Sequence, residues 1–539
     1  MESKSVLRVR IARVGRGCLA GIVAAAGGLG FAELVTATSR TFQSPVVDVA
    51  DRVVDGVPRQ VKDLAIEWFG TNDKIALLVG ISVILAIYAA TVGVVALSSR
   101  WRWALVGISL FGFAGVYASQ STRRAAPLIA VVPSIAGALV AGGLLMLLRR
   151  ADHSTHQPTL EGPGISTSLT DSGPIDSHPS IAELVPNSRR RFLAVAGATA
   201  AGAVVVAGAG RRLSTRTSAS ASRNSLAVPV AETPLPAVPA SISAPVPGVS
   251  PFFTPNKTFY RIDTAITVPQ VPVDSWRLSI TGMVDRPLTL TFAELTERGL
   301  VESDITLTCV SNEVGGNLTG TARWLGVRLD RLLDEVGVST DADQIVGRSV
   351  DGFTAGFPTA ALDGRDALIA IGMNGELLPV AHGFPARLIV PGLYGYVSAT
   401  KWLSEIELTR FDRFDAYWVE RGWADNAPIK VQSRIDTPRG LSKVASGPVA
   451  IGGVAWAQTR GIDRVEISVD EGGWVEATLA DELNDVTWRQ WSYMWDATPG
   501  SHSIVVRATE RNGPIQTAER SEPFPSGATG QHQIIVIVQ

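Results

Sequence analysis

Thr306-Leu307-Thr308-Cys309-Val310-Ser311-Asn312-Glu313-Val314-Gly315-Gly316-Asn317 is the stretch on which the reading of this chain turns. An apolar strand-like run ends at Cys309 and gives way to a polar loop containing glycine, which puts the sulfur at the lip of a sheet instead of within a core. A thiol so placed can be a metal ligand, a nucleophile or a plain buried group, and the stretch alone does not choose among them. A nucleophilic cysteine needs a base in hydrogen-bond reach, usually histidine. The C-terminal half offers His382, His502 and His532, so counting leaves a Cys-His pair open.

Working outward, the chain holds two cysteines, Cys18 and Cys309, one in an apolar N-terminal run and one in a polar region. A disulfide between them is implausible, so Cys309 is either a buried small hydrophobe or a functional thiolate. With 539 residues the chain is too long for one core, and at least three units are expected. A mean hydropathy of +0.21 with 18% charged residues indicates that part of the chain sits in lipid. The net charge of −2, without long basic runs, argues against nucleic-acid binding.

Five apolar stretches are read over Gly17 to Thr38, Ile75 to Leu97, Trp103 to Ser119, Ala125 to Leu148 and Phe192 to Gly210. Most have the length of about 20 residues that a membrane-crossing helix needs. Three basic clusters flank them: Arg8, Arg10, Arg13 and Arg16; Arg100 and Arg102; and Arg149 and Arg150. The positive-inside rule puts all three in the cytoplasm, giving four spans over 1–150 with both ends inside, Arg123 and Arg124 being the exception on an outer loop. The fifth span, in 188–212, would carry the rest of the chain outside. Its entry, Ser188-Arg189-Arg190-Arg191-Phe192-Leu193, resembles the twin-arginine export signal, a route for proteins that fold around a cofactor before export; the plain alternative is a basic anchor. Ala219-Ser220-Ala221 is a candidate cleavage site. His153, His156 and His178 fall in the linker and none in a span, so bis-histidine haem ligation in the bilayer is not expected, nor, with one outer cysteine, an Fe–S cluster.

Residues 151–187 read as a cytoplasmic linker and 213–250, rich in Pro, Ala and Ser, as an extended outer tether. Over 251–415, strand-like runs such as Ala386 to Val390 alternate with helix-like ones, Thr291 to Thr296 and Leu325 to Val336, which indicates an α+β domain. In 416–539 the pattern is all-β, with alternation over Arg464 to Val469 and turns at Gly472-Gly473 and Asn512-Gly513, and an immunoglobulin-like sandwich is expected. Such a module by itself implies packing or dimerisation.

Cys309 with Asn312, then Ala322-Arg323-Trp324-Leu325-Gly326, Met373-Asn374-Gly375-Glu376-Leu377-Leu378-Pro379, His382-Gly383-Phe384-Pro385-Ala386-Arg387, Val390-Pro391-Gly392 and Lys401-Trp402-Leu403 are similar, in order and approximate spacing, to the successive motifs of the sulfite oxidase family. The following β-domain resembles that family's dimerisation domain. The resemblance implies an α+β molybdopterin domain in which dithiolene sulfurs, oxo groups and one protein cysteine hold molybdenum, with Cys309 as the metal ligand; a soft anionic donor suits such a metal. By position, Tyr260, Arg261, His382, Arg387 and Ala399-Thr400-Lys401 would hold the pterin and its phosphate, with Ser349 or Asp351 adding a polar contact. Arg261 and Arg489 match arginines that face an oxyanion substrate in sulfite oxidases, although Arg261 is also two residues from Asp263, an ordinary bridging distance.

The match has departures. Trp423 stands where sulfite oxidases carry a tyrosine near the metal, and Glu313 and Val314 replace basic residues after the cysteine. Tryptophan does not ionise as a phenol does, so a step assisted by that group would be missing, and sulfite does not follow as substrate. The enzyme implied is an extracytoplasmic, membrane-anchored oxidoreductase acting on a small anionic or sulfoxide-like substrate, exchanging electrons with a separate protein or a quinone, and pairing with a second copy through its C-terminal domain. The competing readings are a membrane-tethered binding protein that kept the fold without activity, and a thiol hydrolase using Cys309 and His382.

Overall fold

The computed structural model describes residues 2–39, 42–58, 61, 68, 73–120, 128–153, 186–216 and 218–539, and divides into two compact units, Met1–Arg216 and Thr217–Gln539. The linker expected over 151–187, with His156 and His178, falls outside the described residues except for its helical ends. So do Arg123 and Arg124.

In the first unit the described helices are α1 (Glu2–Thr36), α2 (Pro45–Gly56), α3 (Asp73–Ala96), α4 (Arg102–Ser119), α5 (Val132–His153) and α6 (Pro186–Arg216). Four segments among the described residues are long and apolar enough to cross a membrane: Ile11–Thr36, Lys74–Ala96, Arg102–Ser119 and Leu128–Asp152. They coincide with the first four stretches expected. The fifth stretch lies within α6, whose side chains at 207, 210, 211 and 213–216 are outside the described residues. Small residues set the packing of α1 on α3, where a side chain at Gly21 or Gly93 would collide with the backbone of the facing helix. Arg13 and Arg149 donate to carbonyls at the C-terminal end of α3, to Leu97 at 2.6 Å and Ala96 at 2.7 Å, and so satisfy groups the helix itself leaves open.

The second unit is built on four sheets. The one carrying the cysteine contains β1 (Leu300–Thr308), β2 (Thr319–Arg328), β3 (Leu368–Met373), β4 (Glu376–Leu377) and β5 (Arg387–Ile389). It runs β1-β2-β3-β4, with β5 also on β3, and every pairing is antiparallel. A second sheet holds Arg277–Gly282, Leu288–Thr291, Gln344–Ser349, Thr354–Pro358 and Leu403–Thr409, the first and last of these paired in parallel. A short helix, Phe292–Thr296, starts on a capping box between Thr291 and Glu294. Another, Leu329–Val336, buries Leu329, Leu332, Leu333 and Val336 on one face and stops at Gly337, whose φ of +69° a side chain would resist. The helix expected from Leu325 therefore starts at Leu329. Val327 pairs with Leu300 on one side and Ile369 on the other, and this ladder holds Leu325 to Arg328 extended.

The C-terminal part is two sheets enclosing one core, with Ile451 and Trp491 from one meeting Val465, Ile504 and Val536 from the other. It is not wholly separate from what precedes it: Val454, Trp456 and Trp488 pack into the main core with Trp324, Phe357 and Leu388. Residues 218–250, most of the stretch expected over 213–250 as a tether, hold a short helix at Ala219–Asn224 and a turn at Ala240–Ile242, are otherwise irregular, and are laid along this unit. Glu232 donates to Leu300, Leu235 and Pro236 accept from Arg323, Ala244 donates to Gln490, and Ile242 is buried in the core. The bound position comes from partners distant in sequence.

Candidate functional site

β1 ends at Thr308 and delivers Cys309 to the mouth of the loop joining β1 to β2. The Cys309 N–H donates to Leu318 at 2.9 Å, its carbonyl accepts from Asn312 at 3.0 Å, and the Asn312 side-chain oxygen accepts from Leu318 at 2.8 Å, so the loop is closed on itself. Cys309 is buried. Burial pushes its thiol up, and the N–H and hydroxyl of Ser311 and the charge of Lys401 pull it back toward ionisation.

The sulfur faces a cavity of about 740 Å³ including its mouth, walled by Phe259, Tyr260, Phe353, Tyr396, Trp402 and Trp418. The polar groups lining it are Asp263, Thr264, Ser349, Asp351, His382, Arg387 and Lys401. Ala399 also lines it.

Arg387 opens β5 and is 5% exposed. Its Nη1 donates to the His382 carbonyl at 3.2 Å and its guanidinium lies 5.2 Å from the Trp324 ring centre, while its Nε has no hydrogen-bond partner. Burial lowers its pKa to about 10, so it stays charged at neutral pH. His382 ends a turn at Gly383, with φ of +112°, and its Nε2 donates to the Asn256 carbonyl at 3.1 Å. Burial, with Arg387 second, pushes His382 down to about 4, which keeps the ring neutral. Lys401 donates to the Ile262 carbonyl at 3.0 Å and to Asp263 Oδ2 at 2.8 Å, and burial lowers it to about 8. Tyr260 stacks on Phe259 at 5.4 Å and burial raises its phenol well above the ordinary value.

Some expected residues sit elsewhere. Arg261 Nε donates to Asp263 Oδ2 at 2.8 Å with its side chain 38% exposed, so it belongs to the rim as the partner of Asp263. Ser349 and Asp351 line the cavity, but their oxygens also accept from the N–H groups of Asp351 and Phe353 and shape their own turn. Thr400 is fully buried and turned away, its hydroxyl directed at the Gly347 carbonyl at 3.4 Å. Trp423 does not line the cavity. It stands one ring behind, 5.8 Å from Tyr396 and 6.2 Å from Trp418, centre to centre. Arg489 is not there either: it donates to the carbonyls of Ala480 at 2.8 Å and Ile462 at 2.9 Å inside the C-terminal part, because strand pairing with Ala455 points it at those open acceptors.

Sequence reasoning missed Ser311, Thr264 and Tyr396. Ser311 lay in the quoted stretch as a hydroxyl two residues from the sulfur. Tyr396 is a second phenol in the wall beside Tyr260 and donates to the Ala424 carbonyl at 2.6 Å. No spacing rule marks it.

The donor set fits a particular kind of ligand. Arg387 Nε and Thr264 Oγ1 are buried without partners, which is costly unless something polar meets them. Among the described residues no cluster of three or more His, Cys, Asp or Glu side chains is able to hold a metal. A metal at Cys309 must therefore bring most of its ligands on an anionic, heteroatom-rich cofactor, for which the cations and flat aromatic walls are suited.

The sequence pattern of the oxidoreductase molybdopterin binding domain matches residues 265–418. Mitochondrial sulfite oxidase of Homo sapiens is 30% identical over 316 residues, covering 49% of this chain and 57% of that protein, so this chain spans little more than half of that relative's length. An uncharacterised oxidoreductase of Bacillus subtilis, YuiH, is 32% identical over 152 residues, covering 28% of this chain and 72% of that one. The sulfane dehydrogenase SoxCD of Paracoccus pantotrophus superimposes with a TM-score of 0.47 at 22% identity, covering 53% of this chain and 83% of that one. With the motif order around Cys309, the domain pattern and the two sequence relatives establish that the chain belongs to the sulfite oxidase family of molybdopterin-dependent oxidoreductases.

Proposed function

We propose that this protein is a membrane-anchored molybdenum enzyme that moves an oxygen atom, with two electrons, to or from a small substrate in the cavity around Cys309. The observation that carries the reading is a lone buried cysteine just past a strand end, lining a cavity whose buried Arg387 has a donor without a partner. Cys309 would hold the metal. Arg387, Lys401, His382 and Tyr260 would hold the pterin and its phosphate, with Ser349, Asp351 and Ala399 shaping the wall. The bound cofactor supplies reversible two-electron oxygen-atom transfer.

The chain's own residues orient and insulate. Ser311 donates to the sulfur and favours its ionised form, which a metal ligand requires. Neutral His382 offers a fixed donor-acceptor pattern instead of a second positive charge beside Arg387. Phe259, Phe353, Trp402 and Trp418 keep bulk water from the site and strengthen the electrostatics inside it. The substrate proposed is a small oxo-acid or sulfoxide. Arg489, held on backbone carbonyls, is left out of its binding.

The globular unit is proposed to lie outside the cytoplasm, with the segment in α6 as a fifth span and twin-arginine-like signal. Supporting this, Arg16 pairs with Asp152 at 2.6 Å and Arg13 and Arg149 both reach the end of α3, which gathers the N-terminal basic cluster and the one after the fourth span at one end of the bundle. Electrons would pass to or from a separate protein or a quinone. The C-terminal part is proposed to be an immunoglobulin-like sandwich that pairs two copies.

The test is molybdenum analysis together with pterin fluorescence on the full chain, purified from a host that makes the cofactor. Stoichiometric metal and pterin support the reading. A folded protein from such a host with neither would refute it.

A further inference from the structure

Asp263 is out of place by simple charge logic. The cavity gathers cations for an anionic ligand, yet a carboxylate with a side chain only 4% exposed lines its wall. Its Oδ2 accepts from Lys401 Nζ and from Arg261 Nε, each at 2.8 Å. Arg261 and Asp263 are two apart in sequence and joined by that bond. Lys401 reaches the same oxygen from far along the chain. Without the carboxylate, Lys401, Arg261 and Arg387 would face one another as like charges, and the lysine, being flexible, would be the one to leave.

Donors remain after the carboxylate is satisfied. Lys401 uses two N–H bonds, to Asp263 and the Ile262 carbonyl, and an ammonium has three. Arg261 uses Nε on Asp263, and a guanidinium has four further N–H groups. A carboxylate meeting both cations at one oxygen fixes where those remaining donors point.

We infer that Asp263 is a positioning residue for the cofactor, holding Lys401 and Arg261 together as one preformed anion-binding pair; this rests on the proposed function above. The opposite role, a carboxylate that competes with the cofactor's phosphate for the two cations, predicts the reverse effect of its removal.

The full-length wild type, Asp263→Asn and Asp263→Glu are purified in parallel from the cofactor-making host, and molybdenum and released pterin per chain are measured before and after extensive dilution. The amide variant is expected to retain cofactor about tenfold less well or worse, the range seen when a residue supporting a ligand is removed, with partial rescue by glutamate. In cofactor-free protein, acylation of Lys401 followed by mass spectrometry is expected to be faster at fixed pH in Asp263→Asn, because the carboxylate favours the ammonium. Unchanged retention in a folded Asp263→Asn protein, or tighter retention, overturns the inference. If the wild type itself carries no cofactor the proposed function fails, while an unchanged Lys401 acylation rate would still overturn the hold of Asp263 on the lysine.

Discussion

The guanidinium of Arg434, in the C-terminal part, donates through Nη1 to the carbonyl of Gly316 at 2.9 Å, inside the loop that carries Cys309. Its Nε donates to Asp436 at 2.6 Å and its Nη2 to Ser250 at 2.9 Å, so one buried cation joins the cysteine loop, the end of the 218–250 stretch and its own strand. Beside it, Gly315 has φ of +79° and a side chain there would run into the His532 ring. The C-terminal part thus holds the Cys309 loop in place. Arg434→Ala leaves Asp436 buried without its cation, so a loss of about 3 to 5 kcal/mol is expected in denaturant unfolding. Alkylation of Cys309 in a Cys18→Ala background should also become faster. Unchanged alkylation would mean that Gly316 is held by other contacts.

Cys309→Ala should abolish stoichiometric molybdenum while costing only about 1 kcal/mol of stability, since one small buried group is removed. Elemental analysis beside a thermal unfolding curve checks both halves. Metal retained at the wild-type level would remove Cys309 from the metal site.

Ser311→Ala removes a hydroxyl that favours the Cys309 thiolate, so the thiol pKa rises further in cofactor-free protein. Less thiolate at a given pH means slower alkylation, by about two- to tenfold if one hydrogen bond to the anion is lost. A faster rate would show that the hydroxyl shields the sulfur instead.

The pH dependence of stability carries a signature of His382. Its folded pKa, about 4, lies below the ordinary histidine value, so the unfolded chain binds the extra proton first as pH falls. Its contribution is complete above about pH 6.5 and is lost as pH drops toward about 4, by at most about 3 kcal/mol. The difference between wild type and His382→Gln across that window isolates it from the carboxylates that titrate nearby. A constant difference would mean that the folded ring protonates normally.

Much of the site was legible because its residues sit in short ordered motifs. Cys309, His382, Arg387, Lys401 and Tyr260 are named by the resemblance of those motifs to a known family, and all line one cavity. Arg489 and Trp423 were assigned by position in a match, but the final direction of a side chain depends on neighbours. Arg489 found carbonyl acceptors at Ala480 and Ile462, and Trp423 found Tyr396, Trp418 and Phe524, none of which its own motif specifies.

The fold divides in a similar way. Hydropathy located the four apolar helices and alternation located the strands of the C-terminal part, because both patterns depend on which faces are buried and that is written residue by residue. The sequence by itself determined these elements, the family and the candidate cysteine. Only the tertiary structure decided that 218–250 is bound and not free, that the strand through Leu325 outlasts its helical pattern, and that Asp263 gathers two cations into the cavity wall. Each of these depends on partners tens of residues or more away, such as Arg323 for Pro236 or Lys401 for Asp263. Contacts of that kind form only when the chain closes on itself, and no local pattern encodes them.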